Sequence, residues 1–131
     1  FVIVLGLTSN KGAQDFELQK MGEEFLYEKV IKKVAEWGTP DNLMFVVGAT
    51  QASELSNIRK IIPDHFLLIP GVGFQGGSLK EVSKHGLNND CGLIVNASRA
   101  IIYAAEDETF AEEAKIIARQ YQTEMSMYLN F

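Results

Sequence analysis

The sequence predicts an α/β domain in which parallel strands alternate with helices, and three observations carry that prediction. Four short apolar runs recur along the chain, at residues 2–5, 43–47, 66–69 and 93–95. None of them alternates polar with apolar residues, which is the pattern of strands covered on both faces, as in a parallel sheet. Between the runs lie segments with helical spacing, and strand-to-strand intervals of about 20 to 40 residues suit right-handed crossovers.

The first strand is Val2-Ile3-Val4-Leu5. Residues 23–37 then predict a helix with Leu26, Val30, Val34 and Trp37 on one stripe, closed by Gly38-Thr39-Pro40. After the second strand, Ser53 is the expected N-cap of a helix that places Leu55, Ile58 and Ile62 at helical spacing and stops before Pro63. Asn57, Arg59 and Lys60 fall on its other face. A short helix is expected over residues 78–85, ending at Gly86, between the third and fourth strands. The last helix carries Phe110, Ala114, Ile117, Ala118, Tyr121 and Met125 on one face and Glu112, Glu113, Lys115 and Arg119 on the other. Two architectures fit this order: a small open doubly wound sheet, or half of a (β/α)8 barrel, which needs about 250 residues when whole.

At 131 residues, with 47% hydrophobic and 22% charged, the chain has the size of one domain and can build a core without staples. The lone Cys91 forms no internal disulfide, and one cysteine with two histidines does not make a closed zinc site. A net charge of -5, with no Lys/Arg run longer than two, argues against nucleic-acid and membrane-surface binding. No apolar stretch approaches a membrane span and no signal peptide is recognisable, so a reducing, cytoplasmic setting is expected. Phe1 is no initiator and the strand begins at once, so the chain is expected to be cut from something longer.

Both architectures bind ligands at the carboxyl ends of their strands, where the unusual residues lie. These are Thr8-Ser9-Asn10-Lys11-Gly12, Gly48-Ala49-Thr50, residues 70–77 and Asn96-Ala97-Ser98-Arg99. The loop 70–77 holds four of the eleven glycines, whose backbone N–H groups can turn toward an anion. No Gly-Lys-Ser/Thr follows, so it is not a P-loop. Its match to G-x-G-x-x-G lacks the downstream acidic residue, because the next strand ends in Asn96. A tight turn without ligand is the alternative, but the Gln75 amide offers a pocket both a donor and an acceptor.

Arg99 has the fork that takes a phosphate through paired hydrogen bonds; the alternative is a surface arginine beside Glu106 or Asp107. In (β/α)8 barrels the loops after strands seven and eight commonly form a phosphate site with a short extra helix, so the glycine loop and Arg99 support one another. Ser9 sits in no hydrolase elbow and reads as a binding hydroxyl or a turn serine. His65 and His85 read as boundary residues, Cys91 as a small buried residue opening a strand, and Glu23, Glu24 and Glu28 as a solvated helix face.

Four segments together resemble a known family: Leu7-Thr8-Ser9-Asn10-Lys11-Gly12, Val46-Val47-Gly48-Ala49-Thr50, Ile69 through Gly77, and Asn96-Ala97-Ser98-Arg99-Ala100-Ile101-Ile102-Tyr103. In order and spacing they are similar to strands five to eight of the orotidine 5'-monophosphate decarboxylases, in particular the longer bacterial subgroup. The resemblance implies a (β/α)8 TIM barrel of which residues 1–131 are the C-terminal half. It implies a carboxy-lyase of de novo pyrimidine biosynthesis that forms UMP without metal or cofactor, acting as a cytoplasmic homodimer completed by the remaining half of the barrel.

Carried over residue by residue, the resemblance implies that Ser9 contacts the pyrimidine, Gln75 bridges pyrimidine and phosphate, and Arg99 holds the phosphate. Ser98 adds a backbone N–H, Pro70 shapes the wall near the scissile carboxylate, and Thr8, Gly73 and Gly76 are additional candidates. In the family a lysine among aspartates, in an Asp-x-Lys pattern, protonates the carbanion that carbon dioxide leaves. This sequence contains no Asp-x-Lys, so no catalytic residue is expected within it. Three other readings stay open: a non-catalytic nucleotide- or phosphate-binding α/β module, a related barrel decarboxylase acting on a sugar phosphate, and a structural half-barrel that assembles only with a partner.

Overall fold

The computed structural model describes residues 1–73 and 76–129. Strand β1 (Val2–Leu7) is followed by a short antiparallel hairpin, β2 (Lys20–Met21) and β3 (Glu24–Phe25), then by β4 (Leu43–Val47), β5 (Leu67–Pro70) and β6 (Leu93–Asn96). Among the described residues five helices accompany them: α1 (Leu26–Ala35), α2 (Leu55–Ile61), α3 (Leu79–Gly86), α4 (Arg99–Ile102) and α5 (Phe110–Ser126). Single 3-10 segments occupy Lys11–Gln14 and Ala49–Glu54.

Strands β1, β4, β5 and β6 lie side by side in chain order, all parallel. Their register decides between the two architectures. Phe45, Leu67 and Leu93 stand in one cross-strand row and are buried, packed with Tyr27, Ile31, Leu55, Ile58 and Val82 from α1, α2 and α3. The next row, Leu5, Val46, Leu68 and Ile94, points to the opposite face, where Leu5 is 64% and Ile94 46% exposed. A doubly wound sheet is covered on both faces and reverses its strand order at a switch point. One covered face with strands in unbroken order is the winding of a barrel, and the open face is the inner wall of half of one.

Local chemistry explains the elements. Ser78 caps α3, its Oγ accepting the Glu81 N–H at 3.3 Å. At the start of α1 the Glu28 carboxylate accepts the Phe25 N–H at 2.8 Å. Glu24 pairs with Lys32, so the acidic cluster of residues 23–28 is only partly the solvated face expected of it. Helix α1 starts at Leu26 rather than residue 23, because the preceding residues form the hairpin. Its buried stripe is Tyr27, Ile31 and Val34; Val34 is as predicted, Tyr27 and Ile31 stand one position on from Leu26 and Val30, and Trp37 is 73% exposed. Ser53 lies inside the 3-10 segment and makes no cap bond, since that segment runs straight into α2. On α5 Phe110 and Ala118 are exposed, and Tyr121 and Met125 make its contact with the core.

Arg59 also departs from its predicted place on an outer helix face. Its guanidinium donates to the carbonyls of Gly86 (2.7 Å), His65 (2.6 Å), Gly92 (2.8 Å), Ile62 and Pro63 (both 3.3 Å). One side chain thereby ties the end of α2 to the turns that enter β5 and β6. Burial pulls its pKa down to about 10, which leaves it charged at neutral pH.

Candidate functional site

Because the four strands are parallel and adjacent, their carboxyl ends form one rim, and the four loops singled out in the sequence all leave from it. Between the ends of β5 and β6 this rim holds a cleft of about 200 Å³ lined by Pro70, Gly71, Val72, Asn96, Ser98 and Arg99. Pro70 and Asn96 are register partners two residues beyond Leu68 and Ile94, which places them on the open face of the sheet. Arg99 is exposed and begins α4, a short helix of the kind that accompanies phosphate sites in (β/α)8 barrels and one not predicted from the sequence. The Ser98 carbonyl accepts the N–H groups of Ile101 and Ile102 at 3.1 and 2.8 Å, and this turn fixes where the arginine stem leaves the rim.

The glycine loop enters the cleft from β5. Gly71, Gly73 and Gly76 have φ of 89°, 79° and 86°, in the left-handed region that favours glycine. At Gly73 a β-carbon would also stand 2.2 Å from the Tyr121 hydroxyl, so α5 seats directly against the loop. The Gly73 N–H donates to the Gly77 carbonyl at 2.9 Å, that of Gly76 to Gly73 at 2.8 Å, and that of Gly77 to Gly71 at 3.3 Å. These three amides hold the turn together, so the expected anion cradle is not made from them. Phe74 and Gln75 lie outside the described residues, and the expectation placed on Gln75 with them.

Thr8 and Ser9 leave β1, separated from β5 by β4, on the other side of the rim. The Thr8 N–H donates to Glu17 Oε2 at 2.7 Å and its hydroxyl to Glu17 Oε1 at 2.9 Å, with Asn10 Oδ1 also against that hydroxyl. From the loop after β4, Gln51 Nε2 donates to the Thr8 carbonyl at 3.1 Å. Ser9 Oγ is buried and has no hydrogen-bond partner among the described residues. The structure thus gathers Pro70, Ser98 and Arg99 in one cleft and sets Ser9 and Thr8 apart from it along the rim. Glu17 and Gln51 carry no motif, and sequence reasoning missed them because each matters only through a loop it folds against.

The remaining titratable groups lie elsewhere. His65, at the entrance of β5 and so at the opposite end of the sheet, is buried edge-on to Phe45 with both ring nitrogens unpartnered among the described residues. Burial lowers its pKa, opposed by Asp64. His85 Nδ1 meets Ser56 Oγ at 2.9 Å and so ties α3 to α2. Cys91 does not open a strand: it sits in the turn before β6, with φ 69°, and its thiol donates to the Leu93 carbonyl at 3.7 Å. Among the described residues no group of three His, Cys, Asp or Glu side chains could hold a metal ion, and no helix is long and apolar enough to cross a membrane.

No protein-family model matches the chain. A curated protein of Bacteroides fragilis named orotidine 5'-phosphate decarboxylase is 53% identical over 130 residues, 98% of this chain and 47% of that protein. One of the same name from Phocaeicola vulgatus is 56% identical over 126 residues, 95% of this chain and 46% of its own. The chain therefore spans about half the length of the curated relatives it matches. Among solved structures, Leishmania donovani OMP decarboxylase superposes with a TM-score of 0.76 at 30% identity, over 95% of this chain and 47% of that one. Leishmania donovani UMP synthase gives 0.77 at 34%, over 92% and 27%. In sequence and in fold, this chain is similar to the C-terminal half of the orotidine 5'-phosphate decarboxylases, and its sheet is the corresponding half of their (β/α)8 barrel.

Proposed function

We propose that this chain is the substrate-binding half of an orotidine 5'-monophosphate decarboxylase, forming UMP once the remaining half completes the barrel. The observation that carries this reading is the cleft between β5 and β6, where Pro70, Ser98 and Arg99 meet beside a loop of left-handed glycines. A permanently charged fork at its mouth suits a phosphate dianion. Ser9, whose buried hydroxyl has no hydrogen-bond partner among the described residues, stands across the rim, so an extended ligand with phosphate at one end and a polar ring at the other suits the two. In this reading Arg99 holds the phosphate, Gln75 bridges pyrimidine and phosphate, Ser98 adds its N–H, Ser9 meets the pyrimidine and Pro70 walls the carboxylate. Gly73 and Gly76 shape the phosphate loop and Thr8 positions Ser9.

The chain contains no Asp-x-Lys, so the lysine that protonates the carbanion left by carbon dioxide, and the aspartates around it, come from the other half. The chemistry needs no cofactor. Phosphate contacts remote from the reacting carbon supply binding energy that is realised as orientation at that carbon. A cytoplasmic homodimer accompanies this assignment; the single cysteine suits a reducing compartment.

The test is Arg99→Ala in the completed barrel. Loss of hydrogen bonds to a charged partner weakens UMP binding roughly tenfold to hundredfold and leaves uridine binding unchanged, since the nucleoside has no phosphate. Gln75→Ala gives a smaller loss of the same kind. Equal losses for UMP and uridine, or none for either, overturn the phosphate assignment.

A further inference from the structure

We infer that Glu17 and Gln51 are positioning residues for the base-binding end of the site, acting through Thr8 to present the Ser9 hydroxyl. The inference rests on the proposal that Ser9 meets the pyrimidine, and it adds two residues that no motif marks.

Every polar backbone and side-chain group that Thr8 directs away from β1 is held. Its N–H donates to Glu17 Oε2 at 2.7 Å, and its hydroxyl is shared between Glu17 Oε1, at 2.9 Å, and Asn10 Oδ1. Its carbonyl is taken by Gln51 Nε2 at 3.1 Å. Both partners are themselves anchored. The Glu17 carbonyl accepts the Tyr27 N–H at 3.0 Å at the start of α1, and Tyr27 is fully buried, its hydroxyl donating to Glu54 Oε2 at 2.8 Å. The Gln51 N–H donates to the Gly48 carbonyl at 2.9 Å at the end of β4.

The clamp therefore joins the loops after β1 and β4 at one residue, and the next residue along the chain is Ser9. Ser9 Oγ makes no hydrogen bond among the described residues and is shut in against Gly48. A hydroxyl with no partner of its own takes its direction from the backbone that carries it. Fixing the Thr8 amide and carbonyl fixes that backbone, which is the support a binding group needs to be held within a fraction of an ångström. Glu17 and Gln51 touch no ligand in this arrangement; their effect on binding runs through Ser9 alone.

A double-mutant cycle on the completed barrel tests this, with uridine, UMP and inorganic phosphate as probes. Ser9→Ala first tests the reading beneath the inference: if it leaves uridine and UMP affinity unchanged, Ser9 does not meet the base, and both the reading and the clamp's purpose fall. With Ser9→Ala weakening both ligands, Glu17→Gln is expected to weaken uridine and UMP alike, roughly five- to tenfold for the loss of about one hydrogen bond. Inhibition by inorganic phosphate stays unchanged. Added to Ser9→Ala, Glu17→Gln then causes no further loss, because the group it positions is gone. Full additivity of the two losses, an unchanged uridine affinity in Glu17→Gln, or an equal loss of phosphate inhibition each overturns the inference. If Glu17→Gln does not fold, Gln51→Ala, which releases the clamp from the other loop, is put through the same cycle and judged by the same outcomes.

Discussion

Ser9 Oγ occupies the space that a side chain on Gly48 would need: a β-carbon there would lie 1.8 Å from it, and 2.9 Å from both the Ser9 β-carbon and amide nitrogen. The ends of β1 and β4 come together on the rim only because one of the two residues has no side chain. Rotating the serine hydroxyl away relieves the nearest contact but not the two with the backbone-proximal atoms.

Gly48→Ala is therefore expected to push the Ser9 segment off the rim. Overpacking of this kind costs about 1 to 3 kcal/mol, visible as a lower midpoint in denaturant unfolding of the completed barrel. In the completed barrel, uridine affinity should fall with it. A variant with unchanged stability and unchanged uridine binding would mean that the two loops are not packed as described.

Arg59→Ala removes five donor contacts to carbonyls from one buried side chain. With those acceptors left unpaired, the loss should be about 3 kcal/mol or more, read from equilibrium unfolding. Arg59→Lys should recover little, because a single ammonium does not span carbonyls on separate turns as a planar fork does. Full recovery by lysine would show that charge rather than the fork matters.

His65 gives the chain a pH dependence whose sign follows from burial. Its folded pKa lies below the ordinary value of 6.5, so the unfolded chain binds the proton first as pH falls. Stability from the neutral ring is complete above 6.5 and is lost as pH falls from there toward the lowered folded value, where the loss levels off. Unfolding midpoints of the completed barrel measured across this window should decline for the unsubstituted protein and decline less for His65→Leu. An unsubstituted protein whose stability rises on acidification through the window would contradict the burial of a neutral ring.

The 131-residue chain by itself is expected to bind other copies and to turn over no orotidine 5'-monophosphate. Among the described residues β1 and β6 each pair with one neighbour only, and the face between them exposes Leu5 and Ile94. Unpaired edges beside an apolar face recruit further strands. Size-exclusion chromatography with light scattering should show assemblies above 14.6 kDa, and an activity assay should show no turnover until the missing half is supplied. A monodisperse, cooperatively melting monomer, or a chain that decarboxylates alone, would count against the half-barrel reading.

Much of this architecture was legible in the amino-acid order. The four uninterrupted apolar runs fell on β1, β4, β5 and β6 to within two residues, because a strand in a parallel sheet is apolar throughout and needs no partner to be recognised. The stops before Pro63 and at Gly86 are local chemistry and read correctly for the same reason. Motif spacing likewise put Pro70, Ser98 and Arg99 near one another, since consecutive parallel strands bring their following loops to one rim. Tertiary structure alone decided the rest. The choice of half-barrel over open sheet depended on which face the helices cover, a relation between elements far apart in sequence. Arg59 reads as a surface residue until the turns before β5 and β6 close around it. Glu17 and Gln51 are ordinary polar residues until the loops after β1 and β4 bring both to Thr8, because a hydrogen bond made across 9 or 43 residues of chain has no signature in either residue's neighbours.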